Sequence, residues 1–250
     1  MKKILLGAAA AIAIAAPSVA SADTNAVVGL QYANTDIDGF GDFDQYGLNG
    51  AFSHDMNNGA VLQMDGEMGR VDAGGCCVGN SYGAVHYGWR NDSHAFGGFA
   101  GLSDFFIASG LGVGLEGQLF LGNLNLGGSV GHVDFDDFDL DATSAQIDGA
   151  YFLTPNFAIN GLVAFSEADF SGSDADWTTL GIGGEWRFDN SPFSIDAGYR
   201  NTDFDGDEAD TWTVGVNWDL GTASVQDRTR NGPGFQGARN MFDVMSVLLP

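Results

Sequence analysis

Residues 61–70 read VLQMDGEMGR, and the alternation within this stretch decides the fold. From position 62 to position 68, apolar residues stand at even positions and polar residues at odd ones: Leu62, Met64 and Met68 against Gln63, Asp65 and Glu67. Successive side chains of a β-strand point to opposite faces, so the stretch predicts a strand with one apolar and one acidic face. Such a strand needs water on its acidic side and either a core or lipid on the other side.

The same alternation recurs from position 26 to position 220. It predicts an all-β, transmembrane antiparallel up-and-down β-barrel of about 12 strands, or of ten if one hairpin within residues 93–121 is miscounted. Five links are short, whereas six are longer and rich in aspartate, as in barrels with short inner turns and longer outer loops. The predicted strands cover residues 26–35, 45–54, 59–70, 80–90, 93–101, 110–121, 123–133, 142–153, 156–166, 177–188, 192–201 and 210–220.

Seven carboxylates of these strands share one parity, opposite to that of the apolar residues. A carboxylate that faces lipid is costly, whereas one that faces a hydrated interior keeps its water. Two interpretations stay open: these side chains line water, or Arg90, Arg187 and Arg200 pair with carboxylates and fill the interior. The predicted lumen-lining residues are Gln63, Asp65, Glu67, His86, Arg90, Glu116, Gln118, Asp148, Glu185, Arg187, Asp196, Arg200, Asn217 and Asp219.

The apolar parity carries aromatic side chains close to the strand ends. A soluble β-sandwich also has one apolar face per strand, but it has no reason to concentrate aromatic residues at two levels. Two aromatic girdles mark the interfaces of a membrane barrel, so the pattern favours a barrel. The residues predicted to form the girdles are Tyr32, Tyr46, Phe52, Trp89, Tyr151, Phe165, Trp186, Phe188, Tyr199, Trp212 and Trp218.

The N-terminal segment has the features of a secretory signal peptide. Lys2 and Lys3 precede an apolar run at residues 4–16, and Ala20-Ser21-Ala22 supplies small residues for cleavage. We therefore divide the chain into a signal peptide (1–22), an outer-membrane barrel (23–220) and a C-terminal tail (221–250). The 33 carboxylates against nine Lys and Arg exclude a nucleic-acid-binding protein, which needs a basic surface.

The tail departs from the strand pattern and gathers Arg228, Arg230 and Arg239. One interpretation is a flexible periplasmic extension that ends in a short amphipathic helix. The other is a plug whose arginines enter the acidic lumen. We predict the flexible extension, since chain termini are usually poorly ordered.

Residues 213–220, TVGVNWDL, resemble the last-strand signal of Gram-negative outer-membrane barrels: a polar residue, a glycine two positions on, then an aromatic and a hydrophobic residue two apart. In that family the motif usually ends the chain, whereas 30 residues follow it here. The resemblance implies a porin-like protein of the cell outer membrane, inserted by the barrel-assembly machinery and in contact with lipid and lipopolysaccharide. Monomer and homotrimer both stay open.

The aspartates of the longer links offer oxygen ligands to hard cations. No dedicated calcium loop is present, because the sixth position counted from Asp203 is Glu208 and the twelfth is Val214. A solvated acidic surface is the plainer interpretation, and weak Ca²⁺ or Mg²⁺ binding is the alternative; no other cofactor is expected. The residues concerned are Asp134, Asp136, Asp137, Asp139, Asp203, Asp205 and Asp207.

The remaining candidates for chemistry are few. Cys76 and Cys77 are adjacent and form either a vicinal disulfide or a free thiol pair. His132 lies close to Asp134, yet no Ser, His and acid cluster accompanies it, so we predict that the protein is not an enzyme.

The acidic lumen and links predict the function. We expect a porin-like channel for passive diffusion of small hydrophilic solutes, with a preference for cations. The alternative is a non-conducting structural or adhesin-type barrel that bridges divalent cations and lipopolysaccharide.

Overall fold

The computed structural model describes residues 24–56, 58–73, 76–105, 108–135, 140–170, 173–204 and 206–245. The predicted signal peptide lies outside these residues. The described chain consists of twelve strands followed by two short helices. These are β1 (Thr24–Ile37), β2 (Gly41–Asp55), β3 (Ala60–Ala73), β4 (Cys76–Arg90), β5 (His94–Phe105), β6 (Ala108–Leu121), β7 (Leu124–Phe135), β8 (Leu140–Thr154), β9 (Phe157–Phe170), β10 (Ser173–Arg187), β11 (Phe193–Phe204), β12 (Asp207–Leu220), α1 (Val225–Asn231) and α2 (Gly237–Met245).

The twelve strands form one closed antiparallel barrel in which each strand pairs with its neighbours along the chain. β1 closes the sheet against β12, with Val28 opposite Trp218. Closure removes every sheet edge, which a strand surrounded by lipid requires. The prediction of an up-and-down barrel of twelve strands is therefore confirmed. Of the described helices, none is long and apolar enough to cross a bilayer.

The barrel exterior is apolar and its interior polar, as the alternation predicts. Leu115, Ile147 and Ile182 are each more than 60% exposed on the outer surface, whereas Gln63 and His86 are fully buried. Tyr32, Phe52 and Tyr199 are half-buried. The other residues of the predicted girdles are exposed: Tyr46, Trp89, Tyr151, Phe165, Trp186, Phe188, Trp212 and Trp218.

The expected contrast between long and short links is wrong. At the end opposite to the termini, which we call the hairpin end, successive strands are separated by at most four residues. The aspartate-rich segments are instead continuations of the strands: Asp134 pairs with Asp141, and Asp203 pairs with Glu208. The alternation is reversed there: Phe135 is buried in an apolar cluster inside the barrel, whereas Asp134 and Asp141 are exposed on the outer face.

We expect a charge on the outer surface to destabilise the barrel and one on the inner surface to be tolerated. Leu115→Arg places a guanidinium against lipid and should lower the free energy of unfolding in lipid vesicles by about 2–4 kcal/mol. Asn160→Arg is the control, because Asn160 lines the interior cavity described below. Equal losses in urea titrations of the two variants would contradict the assigned orientation.

Candidate functional site

The C-terminal tail occupies the barrel interior. After β12 the chain turns at Gly221, where φ is +97° and an added Cβ would crowd the side chain of Asn25. Ser224 then caps α1 by accepting a hydrogen bond from the Asp227 amide at 3.0 Å. Residues 232–235, between the two helices, are buried. The tail up to residue 245 is thus an interior plug, which differs from the flexible periplasmic extension that we predicted.

Side chains of the inner wall bind the backbone of the plug between the two helices and near both ends of α2. Gln63 accepts a hydrogen bond from the Phe235 amide at 3.0 Å and donates one to the Phe235 carbonyl at 2.6 Å. Glu116 accepts from the Gly237 amide at 2.8 Å. Three further wall residues donate to plug carbonyls: Arg90 to Gly232 (2.6 Å), Gln118 to Gly234 (2.5 Å) and Trp177 to Val244 (3.2 Å). The wall thereby satisfies buried backbone groups that secondary structure leaves unpaired.

Arg228 of α1 forms the principal ion pair between plug and wall. Its guanidinium donates to Asp219 at 2.9 Å and to Glu185, which also accepts from the Ser194 hydroxyl at 2.5 Å. Burial disfavours a charged arginine, but the two carboxylates outweigh it and raise the pKa of Arg228 above its ordinary value. The arginine therefore stays charged, and its removal would leave Glu185 buried without a counterion and Asp219 with only Arg187, 3.6 Å away.

His86 of the inner wall contacts the plug through its ring. Its Nδ1 lies 2.5 Å from Glu116 and its Nε2 lies 3.2 Å from Asp65. Its ring stacks on Phe235 of the plug, with 6.1 Å between the centroids and 4° between the planes. Both ring nitrogens are thus engaged and the side chain is fully buried, which suits a structural contact rather than proton transfer to solvent.

The apolar side of α2 fits an inner wall made of small residues. A Cβ on Gly112 would lie 2.7 Å from Met241 Cε and 2.9 Å from Phe242 Cζ. A Cβ on Gly101 would lie 2.9 Å from Phe242 Cε2. Tyr82 stacks on the opposite part of Phe242 at 5.4 Å between centroids. Glycines on β5 and β6 therefore leave the space that α2 occupies.

A cavity of about 400 Å³ runs beside the plug, from the level of Gln45 to that of Phe152. Its described lining has more acidic than basic side chains, with an excess of three negative charges. The acidic residues are Asp65, Glu67, Asp148, Glu185, Asp196 and Asp243, and the basic ones are Arg200, Arg228 and Arg239. The space left by the plug is therefore hydrophilic and electronegative.

The structure brings the predicted lumen-lining residues together on the inner wall. Arg187 lies 3.6 Å from Asp219, and Arg200 lies 3.7 Å from Asp243 of α2, so these arginines pair with carboxylates. Eight of the predicted residues contact the plug: Gln63, His86, Arg90, Glu116, Gln118, Glu185, Arg200 and Asp219. Glu67, Asp148, Asp196 and Asn217 line the cavity, and Asp65 does so while it also binds His86.

The sequence analysis gave a plug with its arginines only as the alternative interpretation, and it did not predict the apolar plug residues, such as Phe235 and Phe242, that contact the wall. A signal for them exists: Tyr82, Phe99 and Trp177 stand on the inward parity, and all three are buried. Large apolar side chains have no reason to face a water-filled lumen. The glycines that weaken the alternation in residues 93–121 are a second signal, since they leave room for α2.

The remaining predicted sites are the candidate metal ligands, the cysteine pair and His132. Within the described ranges, His, Cys, Asp and Glu side chains form no group of three or more that could hold a metal ion. Asp136, Asp137, Asp139 and Asp205 lie outside those ranges, as do the side chains of Cys76 and Cys77. His132 lies 3.6 Å from Asp141 and 3.1 Å from the Thr143 hydroxyl, and not in a catalytic cluster among described residues.

No protein-family model matches the chain, and no curated protein does. Solved structures do match. An outer membrane channel from Pseudomonas putida F1 aligns with a TM-score of 0.60 at 12% identity, covering 79% of this chain and 95% of the channel. The KdgM porin in complex with disordered oligogalacturonate aligns with a TM-score of 0.57 at 10% identity, covering 78% of this chain and 99% of the porin. The beta domain of the Bordetella autotransporter BrkA aligns at 0.54 and 12% identity, covering 79% and 100%.

The fold is therefore that of porin-like outer-membrane β-barrels, as the sequence predicts. Identities of 10–12% establish the fold alone. The same architecture serves channels and an autotransporter domain, so function has to be argued from the interior of this barrel.

We expect the Arg228 ion pair to hold the plug in place. Arg228→Met should weaken docking of the tail by about 3–5 kcal/mol, because Glu185 loses its counterion and Asp219 loses the nearer of its two. The urea dependence of trypsin cleavage at Arg230 and Arg239 measures this loss. The triple variant Arg228→Met/Glu185→Gln/Asp219→Asn should recover part of it, and a triple variant as weak as Arg228→Met would refute the assignment.

We also expect a larger residue at Gly112 to expel α2. Gly112→Leu fills the space of Met241 and Phe242, so trypsin should cleave the tail at least tenfold faster while the barrel stays folded. Gly117→Leu on the same strand is the matched control, since the nearest atom to its Cβ is a backbone oxygen at 3.5 Å. The heat-dependent shift of folded barrels in gel electrophoresis verifies folding, and a tail equally protected in both variants would argue against the packing of α2.

Proposed function

We propose that this protein is a narrow outer-membrane channel for passive diffusion of small hydrophilic solutes, with a preference for cations. The observation that carries the proposal is the electronegative cavity beside the plug, inside a closed barrel with an apolar exterior. Solutes of either charge would meet this cavity on their way through the barrel. An excess of negative charge raises the local concentration of cations and opposes the entry of anions.

The origin of the basic groups supports this preference. The only two lysines are Lys2 and Lys3 of the predicted signal peptide. The remaining chain therefore contains arginines but no lysine. Two of the three arginines along the cavity, Arg228 and Arg239, belong to the plug. The wall itself is therefore more acidic than the cavity with the plug in place.

The presence of the plug is the reason why we expect the conductance to be small. It occupies the interior between the wall side chains that bind its backbone, and it leaves a cavity of about 400 Å³. A cavity of this volume suits ions and small polar solutes. The oligogalacturonate named for KdgM is a polyanion, and we do not propose that class here, because the described cavity has an excess of carboxylates.

A second candidate function is a non-conducting barrel that bridges divalent cations and lipopolysaccharide. The packing of the plug favours it, since a filled interior transports nothing. The acidic strand ends at the hairpin end would supply the ligands, for example Asp203 opposite Glu208 and Asp134 opposite Asp141. This candidate needs no passage through the barrel, and a catalytic function is not proposed.

Planar-bilayer recordings with the purified full-length mature protein test the channel. We expect a small conductance with cations more permeant than anions in a KCl gradient. The triple variant Glu67→Gln/Asp148→Asn/Asp196→Asn should bring the permeability ratio at least twofold closer to unity, because it removes three cavity charges. Asp92→Asn, an exposed carboxylate in the link after β4, should leave the ratio unchanged. Absent conductance or a preference for anions would overturn the channel and favour the second candidate.

A further inference from the structure

We propose that the cavity beside the plug is a binding site for a small organic cation with a guanidinium group. The inference deepens the proposed function by naming a solute class. It rests on that function for its biological use, although binding itself does not require conduction.

The first observation is a pair of buried carboxylates with unused oxygens. Asp65 and Glu67 on β3 line the cavity and are only 4% and 7% exposed. Asp65 Oδ1 and Glu67 Oε2 accept no hydrogen bond from any described group. A buried carboxylate oxygen without a donor is unfavourable, so these two atoms offer a strong gain to a ligand that donates to them.

The second observation is that the same interior already binds guanidinium groups. Arg228 donates to Asp219 and Glu185 through its two terminal nitrogens. Arg239 of α2 donates to Gln31 at 3.2 Å and lies within the electrostatic reach of Glu67 and Asp196. The plug arginines thus show how this wall receives a planar, delocalised cation.

The third observation is the chemistry of the free space. Its volume lies within the range of roughly 300–1,000 Å³ that small-molecule sites have. Asp196 already accepts from the Asn217 amide at 2.7 Å, which fixes the carboxylate in the wall. A guanidinium offers five donors and no acceptor, and it therefore matches the carboxylate oxygens among the polar groups of the lining.

A bare metal ion and an anion fit this cavity less well. The described part of the barrel holds no group of three or more acidic, His or Cys side chains arranged around one point. The excess of three negative charges in the described lining opposes an anion. An organic cation with delocalised charge and several donors needs no group of ligands around one point, and the negative charge of the lining attracts it.

Isothermal titration of the refolded full-length mature protein in detergent tests the site. The probe is arginine amide, and its counterpart is citrulline amide, which keeps the α-ammonium group but has a neutral urea of nearly the same shape in place of the guanidinium. We expect saturable binding of arginine amide at one site and none of citrulline amide. The double variant Glu67→Gln/Asp196→Asn should weaken binding at least tenfold, whereas Asp92→Asn, which is exposed and outside the cavity, should change it less than twofold.

Several results would overturn the assignment. These are the absence of saturation, equal binding of citrulline amide, equal binding of lysine amide, and an equal loss with Asp92→Asn. The electrophoretic heat shift verifies that each variant is folded, and Asp148→Asn replaces the double variant if that fails to fold. Saturable binding in a protein without conductance would retain this site and reject the channel, whereas cation-selective conductance without saturable binding would do the reverse.

Discussion

A carboxylate enclosed by a barrel wall must keep water or acquire a positively charged partner, and the interior of this protein follows from that requirement. The strands turn acidic side chains inward because lipid occupies the other face. Glu185 and Asp219 then meet Arg228 of the tail, while Gln63 and Glu116 meet backbone amides of the segment before α2. The C-terminal residues thus supply donors that an acidic wall lacks, and two carboxylate oxygens that remain unsatisfied, Asp65 Oδ1 and Glu67 Oε2, belong to residues that line the cavity.

The wall and the plug are complementary in shape as well as in charge. There is no room for a side chain at Gly101 or Gly112, since a Cβ there would meet Phe242 or Met241. Inward aromatic residues such as Tyr82 and Trp177 cover the remaining sides of α2. An interior built in this way is a core rather than an open pore, apart from the cavity that the plug leaves. The barrel combines an apolar surface outside, a polar layer at the wall and an apolar contact around α2.

This arrangement also separates fold from function. Porins and an autotransporter domain have the same architecture at 10–12% identity, so the barrel alone does not decide what passes through it. The charge of the cavity and the position of the plug are properties of this chain. They are the features on which the proposed selectivity and the proposed ligand class depend, because both proposals place the solute in the space between wall and tail.

The sequence by itself determined the strand count, the closure and the inward side of each strand. A period of two is local, and a charge such as Asp65 or Glu185 tolerates only one of the two faces. It did not determine where the strands end at the hairpin end, because the alternation is reversed there: acidic residues such as Asp134 face outward and apolar residues such as Phe135 face inward. Only the tertiary structure decided that the tail lies inside. Contacts such as Arg228 with Glu185, or Met241 with Gly112, join residues that are more than 40 and 120 positions apart, and no local pattern reports such pairs.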